Sequence, residues 1–191
     1  MKPFFSIWIS PLKTFEYLSS REDSENREMI NVLSALITIG FGIPKLKEFT
    51  ALFENFKFIG ILIGIISLGL VGILIIRWLL ALTYWAMGKL LKGKANKNQV
   101  QLVVAYSLIP YLFYLLIAVL LIIPALITKN WDLVFYRHPF TYYVVWLLAL
   151  RNLIYGLSYF NKFSYGFALL NILVPAGLIE LIRQLIINWK N

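Results

Sequence analysis

The stretch Phe58–Ile76, FIGILIGIISLGLVGILII, decides the fold, because it runs for 19 residues without a charge. Fourteen of these residues are Phe, Ile, Leu or Val, and at about −0.3 to −0.6 kcal/mol each they favour membrane insertion by about 4–8 kcal/mol. The adjoining Arg77 costs at most about 3.5 kcal/mol, which does not reverse that preference. Roughly 20 such residues cross about 30 Å of hydrocarbon as a helix. The stretch therefore predicts a transmembrane helix that continues to Gly88.

Four further segments are predicted to cross the membrane, which gives an all-α, polytopic membrane protein with five transmembrane helices. Residues 100–127 are strongly apolar, and their Pro110 and Pro124 are tolerated as kinks within a helix bundle. The first and fourth spans are the least apolar, and either could instead form a re-entrant hairpin. The predicted spans are 29–43, 58–88, 100–127, 139–160 and 163–187, followed by a short tail at 188–191.

The N-terminal segment 1–28 is predicted to be a cytoplasmic, amphipathic segment. Its apolar run is too short for a signal peptide, and Pro11 suits the first position of a helix. Leu12, Phe15 and Leu18 then fall on one face of that helix. We expect this interfacial helix to lie either on the membrane surface or on the helix bundle.

The composition excludes several classes of function. Of the residues 60% are hydrophobic and 14% are charged, whereas a soluble domain carries about 25% charge. The absence of cysteine excludes disulfides, thiolate nucleophiles and Cys-ligated zinc. His138 is the only histidine, and no catalytic motif surrounds it. We therefore expect no enzyme, no cofactor and no metal site. Nucleic-acid binding is not expected either, because aromatic residues do not alternate with the lysines and no reading motif is present.

The loop at 88–99 orients the protein in the membrane. It carries four lysines and no acidic residue, namely Lys89, Lys92, Lys94 and Lys97. The positive-inside rule places this loop and the N-terminus in the cytoplasm and the C-terminus outside. The lysines are then close to the anionic lipids of the inner leaflet, which we expect them to attract. An acidic protein partner is the alternative.

Ionisable residues inside the spans are candidates for function, because a charge in the bilayer is costly. The candidates are Arg77, Arg151 with its neighbour Asn152, Glu180 and Arg183. Glu180 and Arg183 are three residues apart, so they can pair on one helix face. The two remaining arginines can extend towards the cytoplasmic surface. Structural pairing is one interpretation of this set, and a small transporter, channel or lipid-handling protein is the other.

Two short segments carry a family resemblance. The first is Trp8 with Pro11-Leu12-Lys13-Thr14-Phe15, and its key residues are Pro11, Thr14 and Phe15. The second is Ala105-Tyr106-Ser107-Leu108-Ile109-Pro110, which contains a Tyr-x-x-x-Pro pattern after a polar loop. In these segments and in its five-helix layout, the chain resembles the Yip family of Ypt/Rab-interacting membrane proteins, especially its shorter bacterial-type members.

The resemblance implies a five-pass, non-enzymatic protein with its N-terminus in the cytosol. Eukaryotic members act in early secretory membrane traffic, bind small Rab-type GTPases and associate with one another. The resemblance therefore implies an adaptor or a membrane-organising factor with a protein partner or with self-association. It supplies no catalytic residues. A composition rich in Lys, Asn and Ile indicates a bacterial source, and hence the bacterial cytoplasmic membrane.

Overall fold

The computed structural model describes residues 3–51, 57–130, 132–135 and 138–189. The described residues form helices and no strand, which confirms the all-α prediction. Positions 190 and 191 of the predicted tail, and positions 1 and 2 of the N-terminal segment, lie outside the described residues. The elements are α1 (Pro3–Ile9), α2 (Pro11–Ser19), α3 (Asp23–Ala51), α4 (Lys57–Gly72), a π-helical segment (Ile73–Leu80), α5 (Ala81–Leu90), α6 (Lys97–Ser107), a 3₁₀ turn (Ile109–Tyr111), α7 (Leu112–Thr128), α8 (Asp132–Phe135), α9 (Pro139–Asn161) and α10 (Tyr165–Trp189).

Five stretches of the described chain are long and apolar enough to cross a membrane, and each overlaps one predicted span. Two of them have 32 residues each, so each is about 48 Å long. Because the hydrocarbon is only about 30 Å thick, part of each must project beyond it. The stretches are Ser24–Leu46, Ile59–Leu90, Lys97–Thr128, Asp132–Asn161 and Tyr165–Asn188.

The short helix α6 lies at the centre of the bundle. Every residue from Val100 to Ser107 is buried, because α3, α5, α9 and the π-helical segment all pack around it. The main hydrophobic core surrounds α6 at one end of the bundle, the end that carries the turns at 91–96 and 162–164. We call this the loop end. A smaller apolar cluster joins α3 to α7 and α8 at the opposite end.

The N-terminal amphipathic segment consists of α1 and α2, and both pack on the bundle. Ile7, Phe15 and Leu18 are fully buried, and α2 lies along the second half of α9. Leu12 remains 36% exposed, whereas the small polar Thr14 is buried in its place. The buried face is therefore rotated by part of a turn from the face that the apolar residues alone indicate.

Hydroxyl groups stabilise the bend between α1 and α2. The Oγ of Ser6 lies 2.7 Å from the Oγ1 of Thr14, and the Thr14 hydroxyl also donates to the Ser10 carbonyl over 3.0 Å. Ser10 occupies the N-cap position, with Pro11 in the first turn. Because Pro11 lacks a backbone N–H, the chain can change direction here without losing a donor. The bend places α1 against α6 and the 3₁₀ turn.

Glycines allow α3 and α4 to approach closely. A Cβ added at Gly72 would lie 2.5 Å from the Cβ of Thr38 and 2.7 Å from the Ser34 carbonyl oxygen. Gly60 and Gly64 are buried on the same helix. Small residues at such crossings increase van der Waals contact between helices in a membrane, where burial of apolar surface gains little.

Candidate functional site

The polar residues that the sequence places inside the spans occupy three separate positions. Arg77 lies in the π-helical segment, and Arg151 lies beside Asn152 on α9. Glu180 and Arg183 lie on α10. The structure therefore does not gather them into one site, and each position has its own partners.

Arg77 joins three elements through amide groups. Its Nη1 donates to the Oδ1 of Asn31 on α3 over 2.6 Å. Its Nε donates to the Oε1 of Gln101 on α6 over 3.5 Å, and Gln101 is only 4% exposed. Two of the guanidinium nitrogens, Nη1 and Nε, therefore have amide oxygens as partners. A π-helical segment at this point is notable, because such segments are rare and often occur at functional positions.

A cluster of two cations and one aromatic ring extends from Arg77 towards the loop end. The Nζ of Lys97 lies 4.4 Å from the centre of the Trp78 ring, and the Cζ of Arg77 lies 5.6 Å from it. Both distances are within the range of cation–π attraction. Trp78 is 45% exposed, as is typical of an aromatic ring at a membrane surface.

Arg151 caps the last turn of α1. Its Nη2 donates to the carbonyl of Trp8 over 2.7 Å and to the carbonyl of Ile7 over 3.3 Å. The same nitrogen donates to the Oδ1 of Asn152 over 3.0 Å. Carbonyls in the last turn of a helix have no partner within the helix and carry partial negative charge, so a cation stabilises them. The candidate residue Arg151 thus attaches the N-terminal segment to α9.

Two open cavities lie beside Arg151, with volumes of about 310 Å³ and 430 Å³. Arg151, Tyr155 and Tyr165 line both cavities, so the two lie side by side. We call the pair the Arg151 groove. The smaller cavity is further lined by Leu147, Leu150 and Ile154. The larger is further lined by Ile9, Ser10, Pro11, Leu12 and Lys13.

Glu180 and Arg183 form an ion pair on the surface of α10. The Nη2 of Arg183 lies 2.7 Å from the Oε1 of Glu180, and Gln184 donates to the same oxygen over 2.8 Å. Both charged side chains are more than half exposed. Every residue from 176 to 188 is exposed. We call this stretch the distal half of α10. The Glu180–Arg183 pair lies on it and lines neither of the two cavities beside Arg151.

The residues of the family-like motifs lie in the interior. Thr14 and Phe15 are fully buried and Tyr106 is 2% exposed, while Pro11 and Pro110 are buried as well. A Cβ added at Gly156 would lie 2.9 Å from the Phe15 ring, which shows how closely α2 approaches α9. These motif residues therefore contribute to the core at the loop end, and Pro11 also lines the larger of the two cavities.

The loop at 88–99, which we call the lysine loop, is fixed by Asn161, a residue that the sequence pattern did not single out. The Oδ1 of Asn161 accepts from the backbone N–H of Ala95 over 3.3 Å, and its carbonyl accepts from Lys94 over 3.3 Å. Asn96 and Gln99 form a capping box that begins α6. Lys89, Lys92 and Lys94 are exposed. An asparagine at the end of a helix, directly before a turn, is the signal that could have identified Asn161.

A small polar cleft lies at the loop end, where α2 ends and α3 and α6 begin. It has a volume of about 50 Å³. Arg21 donates to Glu25 at 2.6 Å, and this hydrogen bond raises the pKa of the Arg21 guanidinium. The Oδ1 of the buried Asn26 has no hydrogen-bond partner among the described residues. The lining residues are Leu18, Ser19, Arg21, Asn26, Arg27, Ile30, Asn98, Gln99, Gln101, Leu102 and Phe160.

Comparison with known proteins agrees with this architecture. The family model of the Yip1 domain matches residues 5–182, which is nearly the whole chain. No curated protein and no solved structure matches it. The matched range contains the five long apolar helices almost completely, together with both family-like motifs. The chain therefore belongs to the Yip1 domain family and is an integral membrane protein of the Yip type.

Proposed function

We propose that this protein is a non-enzymatic adaptor that organises partner molecules at the cytoplasmic surface of a bacterial cytoplasmic membrane. The observation that carries the proposal is the fixed, basic surface formed by the lysine loop. The backbone of this loop is held by Asn161 and by the capping box of α6. It therefore loses little conformational entropy when a partner binds.

The charge of this surface supports an acidic partner. Lys89, Lys92 and Lys94 are exposed within a stretch that has no carboxylate between residues 88 and 99. Near an anionic membrane each lysine contributes about 1 kcal/mol of attraction. The same positive surface suits an acidic protein, and the polar cleft beside it offers further hydrogen-bonding groups. We propose that the loop end faces the cytoplasm, with the C-terminus on the other side.

Self-association is the other partnership that we propose, through the distal half of α10. In a lipid environment the exposed Glu180–Arg183 pair is poorly solvated. A second copy of the chain would shield these charges from lipid, and its own Arg183 and Glu180 would pair with them. Gly177 has no neighbour within 4 Å, so an adjacent helix could approach closely there.

Site-specific photocrosslinking in membranes tests the adaptor proposal. A photoreactive residue at Leu90, which is 79% exposed on the loop side, should capture an acidic protein partner. Changing Lys89, Lys92 and Lys94 together to Gln should abolish the capture. The matched control is Lys129→Gln, which removes an exposed lysine elsewhere and should leave the capture intact. Absence of any captured protein, or equal capture by the triple variant, would contradict the proposal.

A small lipid-handling or transport protein is the second candidate, and the Arg151 groove favours it. Glu180 lies on the distal half of α10 and lines neither cavity, so the groove supports lipid binding more than proton coupling. In a liposome flux assay, this candidate requires Arg151→Gln to lower transport. Equal flux in the variant would remove Arg151 from any transport mechanism.

A further inference from the structure

We propose that the Arg151 groove binds one anionic phospholipid, with the phosphate near Lys13 and Arg151 and an acyl chain along Leu147, Leu150 and Ile154. The site lies on the flank of α9, apart from the lysine loop, and it does not depend on the adaptor proposal. Three observations carry it: the charge of the larger cavity, two hydroxyl groups at its wall, and the apolar lining of the smaller cavity.

The larger cavity has an uncompensated positive charge. Lys13 and Arg151 line it, and no carboxylate is among its described lining residues. Lys13 forms no ion pair with a described residue. Arg151 uses Nη2 and Nε for its bonds to α1 and Asn152, so Nη1 has no partner in the described part of the chain. A phosphate would accept from such donors through charge-assisted hydrogen bonds.

Tyr155 and Tyr165 add hydroxyl donors to the wall that the two cavities share. Their rings are 5.2 Å apart and nearly perpendicular, and both rings line both cavities. Neither hydroxyl has a hydrogen-bond partner among the described residues. Tyrosine side chains concentrate at the level of lipid headgroups. The two tyrosines and the two cations therefore form the polar part of the groove, and we place the phosphate there.

The apolar lining of the smaller cavity favours a lipid over a free anion. Leu147, Leu150 and Ile154 follow one face of α9 directly away from the tyrosines, and Leu147 is 57% exposed. Each cavity is within the range of about 300–1,000 Å³ that ligand sites occupy. A cationic cavity beside an apolar wall matches the two chemically different parts of one phospholipid molecule.

Native mass spectrometry of the full chain in detergent tests the site. The probes are phosphatidylglycerol, the zwitterionic phosphatidylcholine and inorganic phosphate. We expect one phosphatidylglycerol to remain bound at concentrations where phosphatidylcholine does not. Lys13→Gln should weaken this binding at least tenfold, because it removes a charged hydrogen-bond donor to the phosphate. Leu147→Trp should fill the apolar part and weaken binding as well.

Matched controls separate this site from general attraction to lipid. Lys129→Gln removes an exposed lysine at the end of α7, and Leu120→Trp enlarges a leucine that is 63% exposed on α7. Both should leave the affinity for phosphatidylglycerol unchanged. Equal retention of both lipids, equal weakening by the control variants, or displacement of the lipid by inorganic phosphate at the same concentration would overturn the proposal. Folding of each variant is checked by its thermal unfolding midpoint.

Discussion

Arg151 illustrates at the scale of one residue how a charge can lie within a membrane protein without a carboxylate. It donates to two carbonyls at the end of α1. We predict that Arg151→Met, which keeps an unbranched side chain but removes every donor, loses about 1.5–3 kcal/mol of stability. The released α1–α2 segment should then become accessible to trypsin at Lys13. Thermal unfolding in detergent and the rate of cleavage measure the two effects.

Arg27→Met is the control for this substitution, because it removes an exposed arginine near the start of α3. Substitutions of exposed residues usually change stability by less than about 0.5 kcal/mol, so its midpoint and its cleavage at Lys13 should match those of the wild type. If both methionine variants behave alike, Arg151 does not anchor α1.

Gly156 tests the closeness of α2 and α9. A Cβ there would lie 2.6 Å from the Cγ1 of Val103 and 2.9 Å from the Phe15 ring. We predict that Gly156→Ala destabilises the protein by about 1–3 kcal/mol, since overpacking displaces well-packed neighbours. Gly177→Ala, where nothing lies within 4 Å, should leave the unfolding midpoint unchanged or raise it slightly. An unchanged midpoint in Gly156→Ala would contradict this prediction, because it would show that Val103 and Phe15 can move aside without loss of stability.

At the scale of elements, the close crossing of α3 and α4 depends more on Gly72 than on Gly69. A Cβ at Gly72 would lie 2.5 Å from the Cβ of Thr38 and 2.7 Å from the Ser34 carbonyl oxygen. A Cβ at Gly69 would lie 3.7 Å from Ala35, which is an ordinary contact. We predict that Gly72→Ala lowers the unfolding midpoint whereas Gly69→Ala does not. The same effect from both variants, measured by thermal unfolding in the same detergent, would refute this account of the crossing.

The lysine loop depends on a side chain from another element. Asn161→Ala removes the acceptor for the N–H of Ala95, which leaves a buried donor unsatisfied at a cost of about 1–3 kcal/mol. We predict faster hydrogen exchange at Ala95 and faster tryptic cleavage in the loop, while α7 keeps its protection. Exchange that is unchanged at Ala95 would mean that the loop does not need Asn161.

At the scale of the whole molecule, the packing is uneven along the bundle. The larger core lies at the loop end, where α1, α2, α6 and the second half of α9 meet. The opposite end is held by a smaller cluster, and the distal half of α10 is exposed. The long helices leave room for the loop end to project beyond the hydrocarbon. The larger core thus supports the loop end, where we propose that the adaptor surface lies.

The topology can be measured directly, because the chain has no cysteine. We predict that single cysteines in Lys94→Cys and Lys162→Cys react with a membrane-impermeant reagent from the same side of a vesicle. Thr128→Cys, at the end of α7, should react from the other side. Reaction of all three from one side would contradict five crossings.

The sequence by itself determined that this is an all-α membrane protein, because 14 apolar residues in one stretch of 19 outweigh any single charge. The spacing of Glu180 and Arg183 also sufficed to predict their pairing, since a helix alone brings them together. The partners of Arg77 and Arg151 were decided only by the tertiary structure. They come from α3, α6 and α1, and no local rule of spacing links residues so far apart in the chain. The groove beside Arg151 exists for the same reason: the packing of α1 and α2 on α9 creates it.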